Sequence, residues 1–383
     1  MLFEIDSFSH LRAKMKVIGV GGAGGNAINR MIESGLSGVD FVAINTDAQA
    51  LDANQAQTKL AIGHTGLGAG ANTETGRQAA EDHRDDIRQI LQETDMVFIT
   101  AGMGGGTGTG ASPIIAEIAR EIGALTVAIT TKPFRFEGRQ RMNRAEDGIE
   151  TLKDKVDTLI TIPNERLLSI VNPSTTMMEA FSIADSILLQ ATRGISDLIN
   201  NTGEINLDFA DVRAIMENMG EAMMGTGVAT GEERATLAAQ MAISSPLLEE
   251  VSIKGAKGVL INITASSDLA LHEVSEATDI IYKEVGDEAN IILGSVRDDK
   301  MDDEIHVTVI ATGFQQPKKS VGGFSPSFKS SPKAPDLVKA TPLEIPAVQR
   351  ETEFSESPSS NQSNEPMLTF GDDTETPAII RMG

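Results

Sequence analysis

Seven consecutive residues, Gly104-Gly105-Gly106-Thr107-Gly108-Thr109-Gly110, contain five glycines and two threonines. They follow a short apolar run, Met96–Thr100, and lead into a helix-like stretch beginning SPIIAEIA. A strand that passes through bare glycines straight into a helix narrows the choice of folds sharply. Backbone amides unshielded by side chains, at the positive end of a helix dipole, form a cradle for phosphate, and two hydroxyls stand ready to assist. No Lys-Ser/Thr pair closes the run, so it is not a P-loop. The bland reading is a flexible loop without a ligand.

Two further glycine runs share that context. Gly19-Val20-Gly21-Gly22-Ala23-Gly24 is a G-x-G-x-x-G between a strand-like and a helix-like segment. Alone it fits either a turn with no ligand or a nicotinamide-binding site, in which Asp40 or Asp47 would hold the ribose. Gly66-Leu67-Gly68-Ala69-Gly70-Ala71 is the third, again before a helix. Three such loops at the strand ends of one sheet would converge on one triphosphate, at a topological switch point.

The elements around the loops alternate. Strands are expected at Met15–Val20, Asp40–Asn45, Met96–Thr100, Leu125–Thr130 and Thr158–Ile162, and helices at Ala27–Glu33, Gly76–Gln92, Pro113–Ile122 and Ala145–Lys155. That rhythm predicts an α/β fold with a doubly wound parallel sheet over residues 13–174. A long helix follows at 175–202, apolar on more than one face, as suits a helix between layers. A second α/β domain is expected over 203–315, with strands at Gly258–Ala265, Ile291–Ser295 and Glu304–Thr312 and helices at Glu232–Ile243 and Leu269–Val285.

Composition excludes several functions. The formal charge of −23 opposes non-specific binding to nucleic acid or anionic lipid. There is no cysteine, hence no disulfide, thiolate metal site or thiol nucleophile, and the five histidines show no metal-ligand spacing. No apolar run reaches membrane-spanning length, and the acidic opening MLFEIDSFSH lacks the features of a signal peptide, so a soluble, cytoplasmic chain is expected. Residues 1–12 are read as a flexible start. Nine of the fourteen prolines fall after Gly313, in a Ser-rich stretch poor in aliphatics, so 316–370 is read as a disordered linker and 371–383 as a partner-binding peptide.

The motifs GVGGAGGNA, NTDAQAL, GLGAGAN, AGMGGGTGTGASP, TKPFRFEGRQR and NLDFADV together resemble the FtsZ family of bacterial cell-division GTPases, within the tubulin superfamily, over residues ~15–315. The resemblance implies GTP and GDP as ligands, with magnesium. It places Gly21, Gly22, Ala23, Gly24, Gly25 and Asn26, with Gly104, Gly105, Gly106, Thr107, Gly108, Thr109 and Gly110, around the phosphates, and Gly70 and Ala71 where the γ-phosphate is sensed. Glu137 and Arg141 have helix-face i, i+4 spacing, but the resemblance puts the Glu on ribose and the Arg towards phosphate and base. Phe181 would stack on the purine. Asp185, one helical turn on, would accept from guanine N1–H and the 2-amino group, and Asn164 would make a second base contact. Read alone, Phe181 is a core residue and Asp185 a solvated face, although SIADSILL surrounds that acid with apolar neighbours.

None of the glycine loops carries a carboxylate placed to orient an attacking water. The candidates lie in Asn206-Leu207-Asp208-Phe209-Ala210-Asp211. Asp208 reads simply as a helix N-cap with Asp211 in the first turn. The resemblance implies instead that Asp208 and Asp211 polarise water, and Asn206 orients it, in the site of the next subunit of a head-to-tail homopolymer that builds the mid-cell division ring. Two tail segments, Leu343–Arg350 and Glu375–Arg381, partly match the family's peptide for membrane anchors and regulators; the terminal one is favoured because it sits at the free end.

Overall fold

Val17, Ile18 and Val20 are all buried, although neighbours on a strand point to opposite faces. Such a strand must be covered on both sides, which is the condition of a parallel sheet with helices above and below. The computed structural model describes residues 13–314 except 170, 173, 202, 206, 249–252, 287 and 299. The expected flexible start, the linker, the terminal peptide with both tail motifs, and Asn206 lie outside the described residues.

The first half runs β1 (Met15–Val20), α1 (Gly21–Glu33), β2 (Asp40–Asn45), α2 (Ala48–Asp52), β3 (Thr58–Ala61), α3 (Thr73–Asp82), α4 (Arg84–Leu91), β4 (Met96–Gly102), α5 (Thr107–Glu121), β5 (Leu125–Lys132), α6 (Arg139–Lys153) and β6 (Thr158–Pro163). Then come α7 (Asn164–Leu167), α8 (Met177–Asn200), α9 (Phe209–Met216), β7 (Gly220–Thr230), α10 (Arg234–Ile243), β8 (Gly258–Ala265), α11 (Leu271–Val285), β9 (Asn290–Arg297) and β10 (Glu304–Thr312). The strand order is β3-β2-β1-β4-β5-β6-β7-β10-β8-β9. From β3 to β7 every pairing is parallel, and the order reverses between β1 and β4. The doubly wound expectation therefore holds, with its switch point where two of the glycine runs begin.

The second half continues the same sheet. β7 joins β6 through three residue pairs, Thr158 to Ile160 against Gly220 to Ala222, and β10 then turns antiparallel to both β7 and β8. One core cluster crosses the join, with Phe98, Ile160, Ala184, Ala222, Val296 and Ile310 under α1, α8 and α9. On the opposite face α3 to α6 cover the first half and α10 with α11 cover the second.

Three differences from expectation have physical causes. The helix expected at Gly76–Gln92 breaks at His83, whose backbone leaves the helical region. β3 was not anticipated: it is a four-residue, mostly exposed edge strand with little apolar signal. β7 was hidden by its glycines. A Cβ at Gly225 or Gly227 would overlap carbonyls of α10, so those positions are bare to let that helix lie close.

Candidate functional site

α1 begins on Gly21 and α5 on Thr107, so each helix starts on the glycine run itself, at the C-terminal ends of β1 and β4. The two N-termini are adjacent: a Cβ on Gly21 would sit 3.0 Å from the Gly108 amide nitrogen. The third loop closes against them, where the Gly106 amide donates to the Gly70 carbonyl at 3.0 Å. All three runs thus meet, as expected.

The glycines do different work. A Cβ on Gly22, Gly70 or Gly105 would meet nothing within 4 Å, so these positions face open space, and Ala23, Asn26 and Ala71 are exposed beside them. At Gly106 a Cβ would lie 2.6 Å from the Gly70 carbonyl, and at Gly108 2.8 Å from that of Gly102. Gly104 adopts φ +97°, a left-handed conformation that glycine tolerates. Gly24 and Gly110 are buried against β4 and α3, and the Asn54 side chain donates to the Gly25 carbonyl. Both hydroxyls of the run are engaged internally: Thr107 pairs with Thr46 at 2.6 Å, and Thr109 accepts from the Gly104 amide at 2.8 Å.

A second group gathers along α8. Phe181 is 37% exposed and meets Phe134 edge-on at 5.4 Å. Asp185, one turn further, has its pKa pushed up to about 6 by burial, an effect partly offset by the nearby Arg30 guanidinium. Arg30 comes from α1 and donates to the Ser182 hydroxyl. Asn164 opens α7, is 4% exposed, and its Oδ1 has no hydrogen-bond partner. An orphaned buried acceptor of this kind fits a donor supplied by a ligand. Glu137 lies in the turn before α6, so its pairing with Arg141 (3.1 Å) is not a helix-face ion pair. Its other oxygen accepts from the Phe134 amide at 2.8 Å.

Sequence reasoning missed Thr46, Arg30 and Arg144. Arg144 donates to the Gly104 carbonyl at 3.1 Å and so braces the glycine run from α6. None of these residues carries a local signal; Arg30 and its partner Ser182 are 152 positions apart.

Asp208 and Asp211 do not join this group. They cap α9 reciprocally: the Asp211 amide donates to Asp208 at 2.9 Å and the Asp208 amide to Asp211 at 3.4 Å. Both are exposed. From Asp185 to the end of α8 is fifteen residues, or ~22 Å of helix. α9 packs at the other edge of the parallel strands, where its Met216 carbonyl accepts from Thr158, the first residue of β6, and its Arg213 reaches the Gly123 carbonyl ahead of β5.

The nicotinamide alternative loses its acids here. Asp47 accepts from the Gln49 and Ala50 amides as the cap of α2, and Asp40 opens β2 at the edge away from the crevice.

Two helix N-termini and a third glycine loop around one crevice, without a P-loop, define a tubulin-like GTPase. Residues 14–172 match the Tubulin/FtsZ family GTPase domain, and residues 220–315 match the FtsZ family C-terminal domain. The chain is 46% identical to an empty FtsZ dimer from M. jannaschii, which it resembles with a TM-score of 0.76 over 79% of this chain and 88% of that one. A point mutant of FtsZ from the same organism matches at 46% identity and a TM-score of 0.77, over 80% and 92% of the two chains. CetZ2 from Haloferax volcanii, in a GTPγS-bound protofilament, shares the fold at 21% identity, with a TM-score of 0.67 over 79% and 94%. The chain belongs to the FtsZ family and is a cytoskeletal GTPase.

Proposed function

We propose that this GTPase assembles head to tail and hydrolyses GTP at each contact, the acids of one copy completing the crevice of the next, and that the polymer forms the cytokinetic ring in bacterial cell division. The observation that carries this reading is the separation of the two halves. The crevice gathers groups suited to grip a nucleotide, and the carboxylate beside its third glycine loop, Asp47, is engaged as the cap of α2, while Asp208 and Asp211 stand exposed beyond the far end of α8, a helix that runs ~22 Å on from Asp185. A group at the far end of α8 from its own crevice is placed to serve a neighbour's. A contact between unlike surfaces does not close, and so propagates as a filament.

The chemistry of each group fits its role in this reading. In this reading amides at the starts of α1 and α5 cradle the phosphates, Gly70 and Ala71 sense the γ-phosphate, Glu137 takes the ribose hydroxyls, and Arg141 reaches towards phosphate and base. Phe181 stacks on the purine, and ionised Asp185 with Asn164 selects guanine. In the neighbour, Asp208 and Asp211 polarise the attacking water, with Asn206 beside them; the electrostatics of positioned groups supplies most of the catalysis in such a transfer. Among the described residues no group of three or more His, Cys, Asp or Glu side chains could hold a metal. The expected magnesium is proposed to arrive on the phosphates, as that ion commonly does.

Apolar side chains at both ends suit self-association. Leu67 (86% exposed) and Met178 (80%) project from the third glycine loop and the start of α8, and Leu271 (85%) lines a cavity with Glu204 and Ile205 beside the acidic loop. Among the described residues no helix is long and apolar enough to cross a membrane. Attachment to membrane anchors and regulators at mid-cell, in the cytoplasm, is assigned to the C-terminal peptide.

Phosphate release per subunit, measured against protein concentration, tests the reading. Release is expected to vanish below the concentration at which light scattering shows assembly. Full activity in isolated monomers would overturn it.

A further inference from the structure

We propose that Ser295 is a positioning residue for hydrolysis: its hydroxyl pins the loop that leads into Asp208 to the edge of β9, and so sets where the acids project. The inference rests on the reading that those acids serve the neighbouring copy. Among the described residues β9 pairs with a strand only on its β8 side. On the free side the Ser295 amide donates to the Ile205 carbonyl at 3.1 Å. The Ile205 amide returns, not to a backbone carbonyl as in a strand ladder, but to the Ser295 hydroxyl, also at 3.1 Å. The side chain therefore replaces the next rung of the ladder, three residues before Asp208. Ser295 is 4% exposed, so the hydroxyl belongs to the interior.

The surroundings are shaped for this approach. A Cβ on Gly203 would overlap the Ser295 carbonyl, which shows how closely the loop passes. The neighbouring Gly294 is equally crowded: a Cβ there would collide with Leu198 and lie 3.2 Å from Leu207. Downstream, the last carbonyls of α9 are held from both halves of the sheet, Met216 by the Thr158 hydroxyl and Ile215 by the Thr312 hydroxyl at 2.9 Å. The acids are thus fixed at both sides, by Ser295 before them and by two threonines after α9. A small displacement of groups that orient water is expensive in rate even when binding is intact.

Ser295→Val and Ser295→Thr share one shape and differ in the hydroxyl. Both are measured as full chains against the parent, by GTP affinity, sedimentation with GTP, phosphate release per assembled subunit at saturating GTP, and hydrogen exchange at the Ile205 amide. Ser295→Val is expected to keep GTP affinity within about twofold while release falls roughly tenfold and the Ile205 amide loses protection. Ser295→Thr restores both to within about twofold of the parent. Parental release by the Val chain, or a Thr chain as slow as the Val chain, overturns the inference. Should either fail to assemble, exchange in the unassembled chain decides, because equal protection in the Val chain and the parent removes the hydrogen bond on which the inference stands. Release by the parent that is independent of concentration would sink the head-to-tail reading itself. Release that needs assembly but ignores the Ser295→Val change sinks only this one.

Discussion

The crevice and the acidic loop, at opposite edges of the parallel strands, solve opposite problems. At the crevice the functional groups are backbone amides, so side chains are in the way, and Gly106 and Gly108 are bare because a Cβ would strike neighbouring carbonyls. At the acidic edge the proposed functional groups are side chains, held by the reciprocal cap of Asp208 and Asp211 and by the rung at Ser295. The first is a crevice whose open positions, Gly22, Gly70 and Gly105, leave room for a ligand. The second is exposed and has nothing of its own to act on. On the proposed head-to-tail reading, that contrast lets a single chain bind a nucleotide and yet hold back its turnover until a second copy arrives.

The largest effect should come from separating capping from chemistry. Asparagine caps helices as well as aspartate does. Asp208→Asn should therefore leave α9 and GTP affinity intact while phosphate release per assembled subunit falls roughly a hundredfold, the scale of losing one charge-stabilising group. Unimpaired release from a well-folded Asn variant would reduce Asp208 to a cap. At the other edge the damage should appear in binding. A Cβ on Gly106 faces two carbonyls within 2.8 Å, and overpacking of this kind costs ~2 kcal/mol, or roughly thirtyfold. Gly106→Ala is expected to weaken GTP by about that factor in equilibrium titration, whereas Gly22→Ala, with open space around it, should cost far less.

The two edges were unequally legible. Short Val/Ile runs bounded by Gly and Asn located β1 and β2 residue for residue, and glycine between strand and helix marked the crevice, because local sequence dictates both. The acidic edge is ambiguous in sequence because a capping box and a catalytic pair are written with the same residues; only the distance along α8 separates the readings. Arg30, Arg144 and Ser295 were invisible for another reason. Each acts on a residue many positions away, so its role exists only after folding. Asp185 lies between these extremes: an acid among apolar neighbours announces itself, but its partner does not.

Asp185 gives a smaller, pH-dependent effect. Guanine donates to a carboxylate, and burial has raised this one to about 6. GTP affinity should be flat above about pH 7 and fall as pH drops through 6, since protonation removes an acceptor. Asp185→Asn should abolish that dependence and cost roughly tenfold at pH 7.5. Persistence of the same pH profile in the Asn variant would place the titrating group elsewhere.

Asp197, three turns further along α8 towards the acidic loop, sharpens the comparison because it titrates without a ligand to explain it. Burial is the leading cause of its rise to about 6; Arg193 and the Asn201 side chain oppose that rise, and Asp298 adds to it. A carboxyl whose folded pKa exceeds its unfolded value of about 3.9 favours the folded state while protonated. That contribution is complete below pH ~4 and is lost as pH rises through 6, so at neutral pH the ionised group is a burden. Asp197→Asn should raise the melting temperature by a few degrees at pH 7.5, with the gap closing as the pH is lowered to 4. GTP affinity should not move, because Asp197 lies twelve residues, ~18 Å, beyond Asp185 on the helix. A gap in melting temperature that widened on acidification would reverse the sign of the argument and show that Asp197 is held ionised by Arg193.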